Sequence, residues 1–146
     1  MKSNNTLDIL CERAKEELDQ AAIRLGQVRK SHQTAKKQLE QLQAYEKEYR
    51  QKLQSGMAKG MASASWYNYQ QFIITLETAI EQHRILLTQW NQHLQQAISQ
   101  WQDKQQRLNA LDTLLKRNSL ARQVYENRQD QKRMDEFAQQ TLLRKT

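Results

Sequence analysis

The sequence predicts an all-α protein: a long antiparallel two-helix coiled-coil hairpin with a C-terminal helical overhang. Three observations carry this reading. The chain has 146 residues without a proline and with only three glycines, so nothing in it breaks a helix by ring geometry. Two long heptad seams follow one another along the chain. The places where those seams end match each other if the chain folds back near residue 60.

The first seam steps by four and three through Leu7, Cys11, Ala14, Leu18, Ala21, Leu25, Val28, His32, Ala35, Leu39, Leu42, Glu46, Tyr49 and Leu53. Twelve of these fourteen positions are apolar, and the exceptions are His32 and Glu46. The pattern predicts a helix over about 5–54, with Asn5 or Thr6 placed to cap it and Asp8 in its first turn. Ser55 to Ser65 then gathers two of the three glycines and three serines, the composition of a bend, with room for a short helical turn. The second seam runs through Trp66, Tyr69, Ile73, Leu76, Ile80, His83, Leu87, Trp90, Leu94, Ala97, Trp101, Lys104, Leu108, Leu111 and Leu115, thirteen of fifteen apolar. It belongs to a helix over about 66–142. Past Leu115 the same steps meet Asn118, Arg122, Tyr125, Gln129, Lys132 and Glu136, and the seam dissolves. Antiparallel partners should have residue numbers totalling about 120, which puts Leu7 near Thr113, where the second seam fades. A parallel homodimer of bent helices shares the periodicity but leaves the matched endpoints unexplained.

Composition narrows the function. Apolar residues make up 38%, against roughly 45–50% in globular domains. The 24 glutamines take the place of the missing apolar residues and favour helix. Such a chain fills a thin seam but not a thick core, and its length is that of one domain. A single cysteine, Cys11, forms no internal disulfide and fits a reducing compartment. The N-terminal residues have no apolar leader and the longest apolar runs are three residues, Phe72–Ile74 and Ile85–Leu87, so a soluble cytoplasmic protein is expected. His32, His83, His93 and Cys11 have no metal-ligand spacing, a phosphate-binding glycine loop is missing, and a two-helix seam walls no pocket for a nucleophile. Neither enzyme chemistry nor a cofactor is expected.

Charge is unevenly placed. The net value of +7 divides into +3 over 1–54, zero over 55–115 and +4 over 116–146. Arg24, Arg29, Lys30, Lys36 and Lys37 lie in a stretch without an acid. This is either a solvated face or steering toward an acidic partner. Nucleic acid ranks below both, because the basic stretches lack interleaved aromatics. Two further features stand out: an apolar surplus near the bend (Tyr45, Tyr67, Phe72, Ile74, Ile85, Leu86), and a helical tail whose stretch 126–139 has only Met134, Phe137 and Ala138 as apolar residues. The surplus either covers the bend, packing a short helix over 57–64, or marks a binding site.

Several stretches resemble the FliJ family of the bacterial flagellar type III export apparatus: Tyr45–Arg50 (YEKEYR), Asn68–Ile73 (NYQQFI), Ala79–Arg84 (AIEQHR), Leu87–Trp90 (LTQW), Lys104–Leu108 (KQQRL) and Glu126–Gln139 (ENRQDQKRMDEFAQ). The resemblance runs end to end. It implies an antiparallel coiled coil similar to the stalk of rotary ATP synthases, one that enters the FliI ATPase ring and promotes its assembly. It also implies contact with the export gate protein FlhA, which would make the protein peripheral to the inner membrane at the flagellar base. Recycling of FlgN- and FliT-like export chaperones is implied as well. The family's gate-binding surface maps onto Gln38, Leu42, Tyr45, Tyr49, Phe72, Leu76, Ala79 and His83. Of these, Leu42, Tyr49, Leu76 and His83 are also seam positions, so either they are partly exposed at the edge of the seam or the register there is shifted by a position. For the ATPase, charge and position nominate Arg13, Arg24, Arg122, Arg128, Lys132 and Arg133. The chain alone is expected to be a monomer. Competing readings are the equivalent stalk of a virulence-type secretion system, a nucleic-acid-binding basic coiled coil and a self-assembling structural coiled coil.

Overall fold

The structure is a computed structural model that describes residues 2–145, with side chains from Asn5 onward. The described residues form two helices, α1 (Lys2–Ala58) and α2 (Ser63–Lys145), which pack against each other as a helical hairpin. Both run further than the composition of the bend suggests. Serines and alanines at 55–58 and 63–65 are tolerated inside helix when the turn beyond them is well made, so among the described residues only Lys59 to Ala62 lies outside the helices. Asn5 and Thr6 lie within α1, not at its cap.

The turn closes on glycine. Met61 N–H donates to the Gly56 carbonyl at 2.9 Å, and Gly60 N–H donates to the Met57 carbonyl at 3.3 Å. These two bonds are the Schellman ending of a helix, with Gly60 in the left-handed position at φ 82°. The Met61 side chain folds over Gly56, filling the place a Cβ would occupy there.

Chain contacts group into two units. One spans Gln20–Gln102; the other joins the start of α1, through Asp19, to α2 from Asp103 onward. Within Gln20–Gln102, Arg50 reaches Glu77, His32 reaches Asn91 and the Tyr49 ring meets Phe72, pairs whose numbers total 127, 123 and 121. Within the other unit, Lys104 meets Glu17, totalling 121. Assigning heptad positions a and d to the seams, these contacts set each a residue against a d residue at a total of 122. Every one of the fourteen first-seam residues is buried or half-buried, and so are all of the second seam except Trp66, at 37% exposure.

In several layers the register sets a large side chain against a small one, Trp101 at the level of Ala21, Leu25 at that of Ala97 and Leu87 at that of Ala35; in others two large ones meet, Trp90 with His32 and Tyr49 with Ile73. Pairing large with small lets those layers pack without voids. Polar seam residues are met by partners at the edge: His32 Nε2 donates to Asn91 Oδ1 at 2.5 Å, Glu46 accepts from Arg50 at 2.9 Å, and Lys104 donates to Glu17 at 3.1 Å. His83 differs, because its buried Nδ1 has no hydrogen-bond partner.

Lys104, by hydrogen bond and charge, holds the Glu17 carboxyl below its ordinary pKa. A depressed carboxylate adds stability that is complete above its unfolded pKa and is lost as pH falls through the lowered folded value. Glu17→Gln should therefore lower the thermal midpoint at neutral pH, and the gap from the parent should close in acid below the ordinary carboxylate range. Gly60→Ala forces a Cβ into the left-handed region and should cost about 1–2 kcal/mol, read as a lower denaturant midpoint at unchanged slope.

Candidate protein-binding surface

The eight residues nominated for gate binding occupy alternating g and d positions on both helices. Across the hairpin they fall into opposed pairs totalling 121: Gln38 with His83, Leu42 with Ala79, Tyr45 with Leu76, and Tyr49 with Phe72. The last pair is in ring contact at 4.5 Å and 51°. In an antiparallel pair the g positions of both helices lie on the same flank of the seam, so the fold brings all eight onto one stripe within Gln20–Gln102. Gln38, Tyr45 and Phe72 are exposed; Leu42, Tyr49, Ala79 and His83 are half-buried; Leu76 is buried at 6%. The d residues thus serve the seam with one side and the stripe with the other, and Leu76 acts as core beneath it.

Aromatic packing shapes one end of the stripe. Tyr49 lies against Tyr69 as well as Phe72, at 6.0 Å, with Lys52 Nζ 5.2 Å from its ring centre. Tyr49, Ser65, Asn68, Tyr69 and Phe72 line a groove of about 270 Å³. A second groove of about 310 Å³ lies on the same flank, between Lys30, Ser31, Thr34, Ala35 and Gln38 of α1 and Leu86 and Trp90 of α2. Gln41 Nε2 donates to Tyr45 Oη at 3.4 Å, steadying an exposed phenol between the grooves. The residue types alone single out none of Ser65, Asn68, Thr34 or Trp90 for this surface; the signal that finds them is the pairing total, which needs the register.

The two flanks differ in charge. Over 25–53 of α1 and 65–100 of α2, the c and g positions carry two charges, Glu48 and Lys52, which pair with each other at 3.2 Å. The b and e positions of the same segments carry eight: Arg29, Lys36, Glu40, Lys47, Arg50, Glu77, Glu81 and Arg84. Arg50, bonded to both Glu46 and Glu77, ties the charged flank together. The apolar surplus near the bend therefore divides. Tyr45, Phe72 and Leu86 face the neutral flank, while Tyr67, Ile74 and Ile85, each more than half exposed, lie on the outer b and f positions of α2. No separate helix over 57–64 absorbs the surplus, because α1 runs to Ala58, Lys59 to Ala62 form the turn and α2 starts at Ser63.

The basic residues nominated for the ATPase are all exposed. Arg122, Arg128, Lys132 and Arg133 share the side of α2 that carries the seam upstream, with Arg122 4.0 Å from Glu126. On α1, Arg13 belongs to the same unit as the tail cations, whereas Arg24 belongs to Gln20–Gln102. Among the described residues no cluster of metal-ligating side chains occurs, and no helix is long and apolar enough to cross a membrane.

A family model described as Flagellar FliJ protein matches residues 2–146. Flagellar FliJ protein from Salmonella typhi is 49% identical over 145 residues, covering 99% of each chain. This chain belongs to the FliJ family. Flagellar FliJ protein from Escherichia coli K12 is 48% identical over the same length and coverage. The end-to-end resemblance in the sequence, with its stretches on both helices and the tail, is thus matched by full-length similarity to flagellar proteins.

The stripe makes a sharp distinction between surface and core. Tyr45→Ala with Phe72→Ala should leave helicity unchanged by circular dichroism and cost about 1 kcal/mol through the lost Tyr49–Phe72 contact. Leu76→Ala, one layer beneath, should cost about 2–3 kcal/mol in denaturant unfolding.

Proposed function

We propose that this FliJ-family chain is a non-enzymatic stalk and escort of the flagellar type III export apparatus. The neutral d–g stripe contacts the export gate FlhA, and the basic tail and N-terminal arm engage the FliI ATPase ring and promote its assembly. Escort of FlgN- and FliT-like chaperones, and attachment at the cytoplasmic face of the inner membrane through FlhA, follow from the same role. One observation carries the gate assignment: eight residues drawn from two distant segments fall onto one sparsely charged, aromatic-lined flank. A stripe of half-exposed apolar and aromatic groups with an almost uncharged border has the makeup of an interaction surface, because its apolar area is reachable and little charge must be desolvated.

The ATPase assignment is supported by charge. A helix side bearing Arg122, Arg128, Lys132 and Arg133 steers toward acidic surfaces, and that steering weakens with salt. The similarity to flagellar relatives favours the flagellum over a virulence-type secretion system. Expression in a flagellar null strain tests that choice, since only a flagellar component restores motility.

The deciding experiment is a binding and turnover assay with the FliI and FlhA of the same organism. Addition of the protein should raise FliI turnover, and removal of the tail from Lys116 should abolish the stimulation. FlhA binding should vanish in the Tyr45→Ala, Phe72→Ala double variant and change little between low and physiological salt, whereas FliI binding should weaken markedly over that range. Unchanged FliI turnover would sink the stalk reading; FlhA binding that tracks salt would sink the assignment of the neutral flank.

A further inference from the structure

From Asn118 to Glu136 the seam positions of α2 are polar apart from Tyr125, and Asn118, Arg122, Tyr125, Lys132 and Glu136 are exposed. Apolar side chains return, but on the opposite side of the helix. Leu120, Val124 and Met134 stand at 62%, 49% and 72% exposure, and Ala138 is exposed beside them. In the hairpin's heptad these are f and c positions, turned about half a circle from the face that meets α1 upstream. The steps 120, 124, 127, 131, 134 and 138 are four, three, four, three and four. This is a seam of its own, with Asn127 and Gln131 at its centre and apolar residues toward both ends.

We propose that this stripe pairs antiparallel with the same stripe of a second copy of the chain. The pairing follows the rules seen within the hairpin. Opposed seam residues total 258, which sets Leu120 against Ala138, Val124 against Met134 and Asn127 against Gln131, each twice by symmetry. Slipping one heptad either way places Gln131 against Leu120 or against Met134, burying an amide on an apolar group. The chosen register is the one in which apolar meets apolar and amide meets amide, and a central polar layer of this kind fixes register and orientation.

Flanking residues agree with it. In the hairpin, Arg50 bridges to Glu77 at a total five above the seam value. The corresponding pair in the tail dimer is Arg128 with Asp135, formed twice. Phe72 lies against Tyr49 at one below the seam value. The corresponding pair is Phe137, 72% exposed in the single chain, with Leu120. A lone helix with this composition is marginal in water, and pairing supplies the packing it lacks. Few apolar layers are involved, so the dimer is a reversible one that departs from the monomer expected of the sequence.

Sedimentation velocity on the full chain, over a series from micromolar to millimolar, tests the proposal. The expected result is a concentration-dependent monomer–dimer equilibrium abolished by Met134→Glu. Arg128→Asp should weaken dimerisation about five- to tenfold, and adding Asp135→Arg should restore it, since the exchanged charges again oppose each other. Circular dichroism on each variant separates lost pairing from lost helix. A monomer throughout the series, a dimer indifferent to Met134→Glu, or a charge exchange that fails to restore association would each overturn it. A monomeric chain whose f–c stripe is instead required for binding FliI would overturn it too, by giving the stripe a different occupant.

Discussion

Two helices share one strip of contact, and the hairpin depends on how the a and d residues of that strip meet. With only two strands, no layer can borrow neighbours from a third element, so each must balance its own volume and polarity. The chain does this by opposing large residues with small ones in several layers and by moving charge to the edge, where Arg50, Glu17 and Asn91 satisfy Glu46, Lys104 and His32. Among the described residues few are deeply buried, and four of the nine that are, Cys11, Ala14, Ala35 and Ala97, are small. Stability therefore accumulates over many thin layers.

The same economy produces the candidate surface. In a thick core a d residue is hidden on all sides. Here Leu42, Tyr49 and His83 pack inward and still present an edge to solvent. One flank carries most of the charge and the ion pairs of Arg50 with Glu46 and Glu77; the other carries aromatic rings, glutamines, two grooves and the Lys52–Glu48 pair. A partner approaching the neutral flank meets groups whose position is already fixed by seam packing, which lowers the ordering cost of association. The buried Nδ1 of His83, without a hydrogen-bond partner, lies within that stripe.

The turn makes the register possible. Gly60 in the left-handed region and Met61 over Gly56 end α1 tightly, and α2 starts after only four intervening residues. A looser bend would leave the pairing total free to drift, and a drift of one residue turns opposed a and d residues out of the seam. The tight turn and the seam thus specify the same answer, the agreement between local and long-range preference expected of a sequence with one fold.

From the sequence alone came the helical class, both seams, the fold-back near residue 60, the half-buried histidines and the dissolving tail, because heptad periodicity and missing prolines are local properties that tertiary structure has little reason to override. Residue identities also carried the family resemblance, and with it the eight stripe residues. The extent of the turn was not legible, since serine, alanine and glycine at 55–65 suit a bend and a helix end equally, and hydrogen bonds to Gly56 and Met57 chose between them. Nor was the split of the apolar surplus legible: Phe72 and Ile74 look alike in the sequence, and only the opposing helix puts one on the neutral flank and the other on the outside. Periodicity states which residues face a partner helix; the pairing of the two helices decides which of the remaining residues share a flank.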